Sequence, residues 1–359
     1  MKHSLYFLFI CIILTGCLKD DYLKTRNISF LPEELNDGWE IDTATAQHFD
    51  MEIFDELLQK IYSYDEFLLV RSVVVVKNGK LVAEIYPRTQ EDRTALFQQW
   101  SITKSFMSML TGIALDSGNI RSVSEQAFRY MPEYRRYAYP ELLPLTIEEC
   151  LTMRSGIDYD NSGLEEEEIL ARVPNDLTRY ILERPMKYLP GEVTDYKNSD
   201  PQLLVKVISK ATKKDLIDFA KDNIFSPLGI EDFLWSRNRD NTPYGGFGLF
   251  LTPRAMAKTG QMLLNKGVWK EQRILSEEWI AKASTPKTTI NGYEYGYYFW
   301  IDSERGIFWA WGARGQFIFV VPEKDLVVVI ASDPYGEKET NILEALWIVD
   351  MLVEGVVEN

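Results

Sequence analysis

The stretch SVVVVKNGKLVAEIYP, residues 72–87, constrains this chain more than any other. Two runs rich in β-branched and apolar residues meet at Asn78-Gly79, a pair that tolerates the left-handed backbone of a two-residue hairpin turn. The chain therefore opens with antiparallel sheet. Similar material returns only in its last third. There YGYYFWID (295–302), IFWAWGA (307–313) and QFIFVVPEKDLVVVIASD (316–333) read as strands, the last two runs turning at Pro322-Glu323-Lys324-Asp325. Helical spacing marks FDMEIFDELLQKIYSY (49–64), residues 103–116 and ETNILEALWIVDMLVEGV (339–356). Between them, residues 125–235 carry helical patterns broken by seven prolines from Pro132 to Pro201, with few strands. The reading is an α/β (α+β) fold: one antiparallel sheet flanked by helices, built from residues 46–124 and 236–355, with a mostly helical subdomain, 125–235, inserted. A groove forms where two such layers meet.

With 359 residues, 46% of them hydrophobic, the chain can bury a large core as one domain or two closely joined ones. Its net charge of −15 and lack of a basic cluster exclude nucleic acid as a partner. The start is of a different kind. Lys2 and His3 precede an unbroken apolar run, Leu5 to Leu14, then Leu14-Thr15-Gly16-Cys17, with too few residues to span a membrane. This resembles the bacterial lipoprotein signal. The resemblance implies removal of residues 1–16, lipidation of Cys17, and a protein held at the membrane of the cell envelope by that anchor. Residues 17–45 then read as the lipidated cysteine and a linker. Cys150 would be the one thiol left, so no disulfide is expected within the mature chain.

The chemistry starts at WSITKSFMSML, residues 100–110. On a helix Ser101 and Lys104 share a face, so a hydroxyl and an amine come within reach of each other. A serine needs such a base to become a nucleophile, and a lysine in a dry pocket can serve. The alternative is a helix-capping serine followed by a surface lysine. Ser284-Thr285-Pro286-Lys287 fits the same spacing, but Pro286 is wrong for a helix interior. Histidine is nearly absent. Only His3 and His48 occur and no Gly-x-Ser-x-Gly supports a triad, so imidazole is not the expected base and zinc lacks ligands. No cofactor or metal is expected, and the acidic run Glu165 to Glu168 reads as a solvated face. Tyr196-Lys197-Asn198 offers a phenol beside an ammonium, and an amide that both donates and accepts. Tyr159-Asp160-Asn161 has the same form.

In family order, SITKSF, LTMRSGIDY, LPGEVTDYKNSDPQLL, GFGLFLTPRAMAKTGQMLLNKGVW and WAWGARGQ resemble the serine β-lactamase and penicillin-binding protein superfamily, in its class C-like branch. That branch includes esterases, D-amino-acid peptidases and 6-aminohexanoate-dimer hydrolases. The resemblance covers about residues 65–350. It implies a β-lactamase/transpeptidase-like fold, Ser101 as nucleophile, Lys104 and Tyr196 as base and proton shuttle, and Asn198 as a substrate-orienting amide. It also makes Ser155-Gly156 a separate structural motif, which demotes Tyr159. At the third family motif the chain has Ala310-Trp311-Gly312 where a cation normally leads. By the same resemblance, the amides of Ser101 and Ala313 form the oxyanion hole. Arg314 is the nearby cation that could meet a substrate carboxylate, and Trp311 with Trp309 is either an apolar acyl pocket or core. The expected reaction is acyl transfer on a small ester, amide or peptide. Alternatives are β-lactamase or D-Ala-D-Ala carboxypeptidase-type activity, made less favourable by Ala310, and a non-catalytic envelope lipoprotein that only binds.

Overall fold

The computed structural model of the protein describes residues 30–63, 67, 69–159, 176–333 and 342–357. The expected signal with Cys17, the run Glu165 to Glu168, and Asp160-Asn161 lie outside these residues.

After a two-residue strand, β1 (Glu40–Ile41), the hairpin forms where its turn residues place it. β2 (Val70–Lys77) passes into β3 (Lys80–Ile85) through Asn78 at φ 52° and Gly79 at φ 74°, the left-handed pair of a tight turn. A small sheet is formed by β4 (Phe97–Gln98), β5 (Phe233–Trp235) and β6 (Leu249–Leu251). A short hairpin, β7 (Val268–Trp269) and β8 (Gln272–Arg273), follows. Then come β9 (Thr288–Ile290), β10 (Tyr293–Tyr295), β11 (Trp300–Asp302), β12 (Ile307–Gly312), β13 (Gln316–Val321) and β14 (Leu326–Ser332). The main sheet has the order β1-β3-β2-β14-β13-β12-β11-β10-β9 and is antiparallel except for the β1–β3 pair. The two halves of the sequence join where β2 pairs with β14, from Lys77 opposite Leu326 to Val73 opposite Ile330.

Val73 to Val76 are all fully buried, as are nearly all residues of β13 and β14, so both faces of the sheet centre are covered. That explains why these strands read as continuous apolar runs rather than alternating ones. The five longest helices among the described residues are α1 (Met51–Tyr62), α2 (Ile102–Asp116), α3 (Ser199–Thr212), α4 (Pro253–Leu264) and α5 (Ile342–Glu354). α4 lies on β2, β13 and β14, while α1 and α5 pack on each other. The middle of the chain is helical as expected and packs α3 against α2. β5 returns to pair with β6, which also pairs with β4 just ahead of α2. β6 therefore links the end of the inserted segment to the strand that leads into Ser101.

Two expectations differ from the structure. YGYYFWID is not one strand: it divides into the end of β10, a turn with Tyr298 at φ 62°, and β11. The Tyr298 hydroxyl donates to the Cys150 carbonyl at 2.8 Å, a bond across the fold that bends the chain there. Residues 30–45, read as linker, lie on the fold. Trp39 and Ala44 are buried, β1 pairs with β3, and Arg254 binds both Asp37 (3.0 Å) and the buried Glu84 (2.8 Å). A two-residue strand held by ion pairs leaves no periodicity to find.

Candidate active site

Ser101 sits where β4 ends and α2 begins. The Gln99 amide donates to the Leu249 carbonyl at 2.7 Å, which ties this turn to β6. Trp100 follows at φ 46°, a left-handed conformation costly for a bulky residue and common at functional turns. Ser101 itself is already helical, at φ −69° and ψ −9°, and its side chain caps nothing. The capping alternative is therefore not what the structure has. Instead Lys104 Nζ lies 2.8 Å from Ser101 Oγ, with a second bond of 2.9 Å to the Gly246 carbonyl. Lys104 is 1% exposed, so its nitrogen is held on this hydroxyl and away from bulk water. One hydrogen bond between nucleophile and amine is the geometry that proton transfer needs.

Tyr196 supplies the opposite wall. Lys104 Nζ stands 4.9 Å from the centre of the Tyr196 ring, within cation–π range. The ring rests against Trp300 (5.8 Å between centroids) and Tyr295 (6.2 Å). Burial raises the Tyr295 phenol well above its usual range, so that neighbour stays neutral. Lys197 does not play the part its position suggested. It is 1% exposed and points elsewhere, donating to the Ile157 carbonyl at 3.0 Å with Asp195 at 3.7 Å. The cation beside the phenol is Lys104.

Asn198 immediately precedes α3. Gly246 has to be glycine here, because a Cβ would lie 2.4 Å from Asn198 Oδ1. The same residue thus admits the Asn198 side chain and offers its carbonyl to Lys104. Asp200, in the first turn of α3, accepts from Ser155 Oγ (2.6 Å), the Ser155 amide (3.1 Å) and Ser199 Oγ (2.9 Å). Burial nonetheless raises its pKa. These bonds fix Ser155-Gly156 to the base of α3, and Tyr159 is buried at 8% exposure.

β12 closes the site. A Cβ on Gly312 would lie 2.2 Å from the Gln99 carbonyl oxygen, so the strand end rests directly on the turn that carries Ser101. Ala313 follows, exposed, and then Arg314 at φ 63°. The Gln316 amide donates to the Arg314 carbonyl at 3.1 Å and to the Ser332 carbonyl at 2.9 Å, which holds the loop. Ala310 is buried opposite Ile318 and brings no charge. The two tryptophans of β12 differ in burial. Trp309 is wholly buried, paired across the sheet with Trp300 and Phe319. Trp311 is only partly buried and lies 5.1 Å from Trp300, continuous with the aromatic wall that reaches Tyr196.

Sequence reasoning missed three participants: the Gly246 carbonyl, the Trp300 ring and the backbone of Trp100. A signal existed for the first, in the glycine pair of YGGFGLFL. Ser284 ends a short helix, donating to the Ile280 carbonyl at 2.9 Å, and Lys287 faces the Tyr297 ring, so that Ser-x-x-Lys is no second site. The His48 carbonyl accepts from the Val357 amide at 2.9 Å, beside the C-terminal segment. Among the described residues, no group of three or more His, Cys, Asp or Glu is placed to hold a metal ion.

Known proteins match this chain in sequence and in fold. Protein flp of Staphylococcus aureus (strain MRSA252) is 23% identical over 184 residues, which is 49% of this chain and 37% of that protein. The chain thus spans well under half the length of this relative. Among solved structures, a candidate 6-aminohexanoate-dimer hydrolase from Bacillus anthracis superposes with a TM-score of 0.71 at 21% identity, covering 91% of this chain and 89% of its own. A family VIII carboxylesterase gives 0.69 at 16% identity, covering 84% and 96%. Both share the fold. The family model described as Beta-lactamase matches residues 70–347, most of the chain and all of the side chains gathered around Ser101. This chain belongs to the Beta-lactamase family.

Proposed function

We propose that the protein is a serine hydrolase that cleaves a small ester or amide through a covalent acyl-enzyme. The observation that carries this reading is the 2.8 Å bond between the buried Lys104 amine and Ser101 Oγ. Ser101 Oγ attacks the substrate carbonyl as its proton passes to Lys104 and Tyr196. The C–O or C–N bond then breaks, and Tyr196 returns the proton to the departing alkoxide or amine. Water attacks the acyl-enzyme and frees Ser101. Asn198 orients the substrate. The amides of Ser101 and Ala313 receive the oxyanion, an arrangement worth about 3 kcal/mol per donor in comparable sites. Gly312 on the Gln99 carbonyl supports that pairing, since it brings the two backbones together.

The aromatic wall of Trp300 and Trp311 favours an apolar acyl or leaving group. With Ala310 in place of a cation, Arg314 is the group that would meet a carboxylate, and β-lactam turnover is slow beside ester turnover. Lipidation at Cys17 would hold the enzyme at a membrane surface of the cell envelope. The test is turnover of p-nitrophenyl butyrate by the full chain and by Ser101→Ala. Loss of hydrolysis in a folded variant is expected, and retained turnover would remove Ser101 from the mechanism.

A further inference from the structure

The proton path from Ser101 to Tyr196 crosses a seam. Ser101 and Lys104 stand at the start of α2, in the part of the chain that carries the sheet, whereas Tyr196 belongs to the inserted segment. The distance between amine and phenol therefore depends on what ties the two parts together. One tie lies two residues from the phenol. Thr194 Oγ1 and Thr288 Oγ1 share a hydrogen bond of 2.6 Å, which joins the segment leading into Tyr196 to the first residue of β9.

The place of this bond in the sheet gives it a second partner. Thr288 is paired directly with Tyr295 across β9 and β10, and the Lys287 amide donates to the Tyr295 carbonyl at 2.8 Å. Side chains opposite each other in an antiparallel pair lie on one face. One cross-strand pair thus holds the segment at two points: the Thr288 hydroxyl takes Thr194, and the Tyr295 ring meets the Tyr196 ring with 6.2 Å between centroids. The two contacts differ in kind. Rings at that separation attract weakly over a range of positions, while a bond between hydroxyls fixes a distance. The Asp195 amide, between them, donates to the Met153 carbonyl at 2.8 Å, a bond within the inserted segment that does not cross the seam. Both partners of the crossing bond are threonines, whose branched Cβ restricts χ1 and so holds each hydroxyl in place.

We infer that Thr194 and Thr288 are positioning residues, whose shared bond sets the Tyr196 phenol against Lys104 and Ser101. The inference rests on the serine-hydrolase reading. Neither threonine enters the chemistry. Both are only partly buried, and the Tyr298 hydroxyl still joins the two parts through the Cys150 carbonyl, so the fold survives without their bond.

The test is steady-state hydrolysis of p-nitrophenyl butyrate by the full chain and by Thr194→Val, Thr288→Val, the two combined, and Thr288→Ser, with Thr288→Val repeated on Tyr196→Phe. Valine keeps the branched shape and removes the hydroxyl; serine keeps the hydroxyl. Each valine variant should lower kcat about tenfold with KM changed less than about twofold, since a bond of this kind loosens the site without removing a reacting group. The combined variant should be no worse than either alone, because the same bond is lost each time. Thr288→Ser should restore most of kcat, and Thr288→Val should change nothing further once Tyr196→Phe has removed the phenol hydroxyl. Wild-type kcat in the valine variants, losses that add in the combined variant, or no rescue by serine would overturn the inference. So would an equal fall in the Tyr196→Phe background, which would mean a general loosening rather than an effect on the phenol. Absence of ester turnover by the wild type would overturn the reading on which the inference rests.

Discussion

Adding one methyl group at Gly312 tests whether the end of β12 belongs to the reaction. The Cβ of Gly312→Ala would begin 2.2 Å from the Gln99 carbonyl oxygen, where unstrained contacts need well over 3 Å, so strand and turn must part by about 1 Å. Neither partner is a flexible side chain that can swing aside. The Gln99 carbonyl also accepts from the Ile102 amide at 3.0 Å and so belongs to the first turn of α2. Overpacking of this kind costs about 1–3 kcal/mol of stability. For a chain of this size that lowers the melting temperature by only a few degrees per kcal/mol. The reaction should suffer far more. A displacement of about 1 Å between nucleophile and oxyanion donors is worth about a hundredfold in rate. The assay is kcat/KM on p-nitrophenyl butyrate beside a calorimetric melting curve for the same preparation. A folded variant with about a hundredth of the wild-type kcat/KM is expected. A variant as active and as stable as wild type would show that the strand end does not help to build the site.

Lys104→Ala and Tyr196→Phe should each lower kcat about a hundredfold or more, measured on the same ester, since each removes a group in the proton path. Lys197→Met should do the reverse. It leaves the Ile157 carbonyl without its donor, so stability falls by about 1–3 kcal/mol in urea unfolding while kcat/KM stays within a few-fold of wild type. Asp42 sets an acid limb: bonds from the Gln47 side chain, the Thr43 amide and Lys80 hold its carboxyl at about 2, below its ordinary 3.8. Its stabilising contribution is complete above 3.8 and lost as pH falls through about 2, so the stability gap between wild type and Asp42→Asn should close over that interval. A gap that does not change with pH would mean those bonds do not depend on ionisation.

The main sheet was readable because its signals are local. Asn78-Gly79 specifies a turn within two residues, and strands buried on both faces announce themselves as apolar runs. The Ser101–Lys104 pair was equally local, three residues apart on one helix. What stayed hidden depends on contacts between distant segments. The Gly246 carbonyl reaches Lys104 from 142 residues away, and although its glycine pair marks a close backbone approach, it does not say to which residue. Lys197 shows the converse. Adjacency to Tyr196 in the sequence implied a shared role, yet consecutive residues at the entrance to α3 point in different directions, and the ammonium went to Ile157. The strap over residues 30–45 escaped notice for a third reason. It is held by Arg254, Asp37 and Glu84, charges whose pairing no periodicity encodes.

The most direct test of the central claim is the intact mass of the full chain after exposure to a fluorophosphonate, with Ser101→Ala alongside. An activated serine gives one phosphonyl adduct on the wild type, localised to the peptide containing Ser101, and none on the variant. An unmodified wild type, or equal labelling of both proteins, would contradict the assignment of Ser101 as the nucleophile.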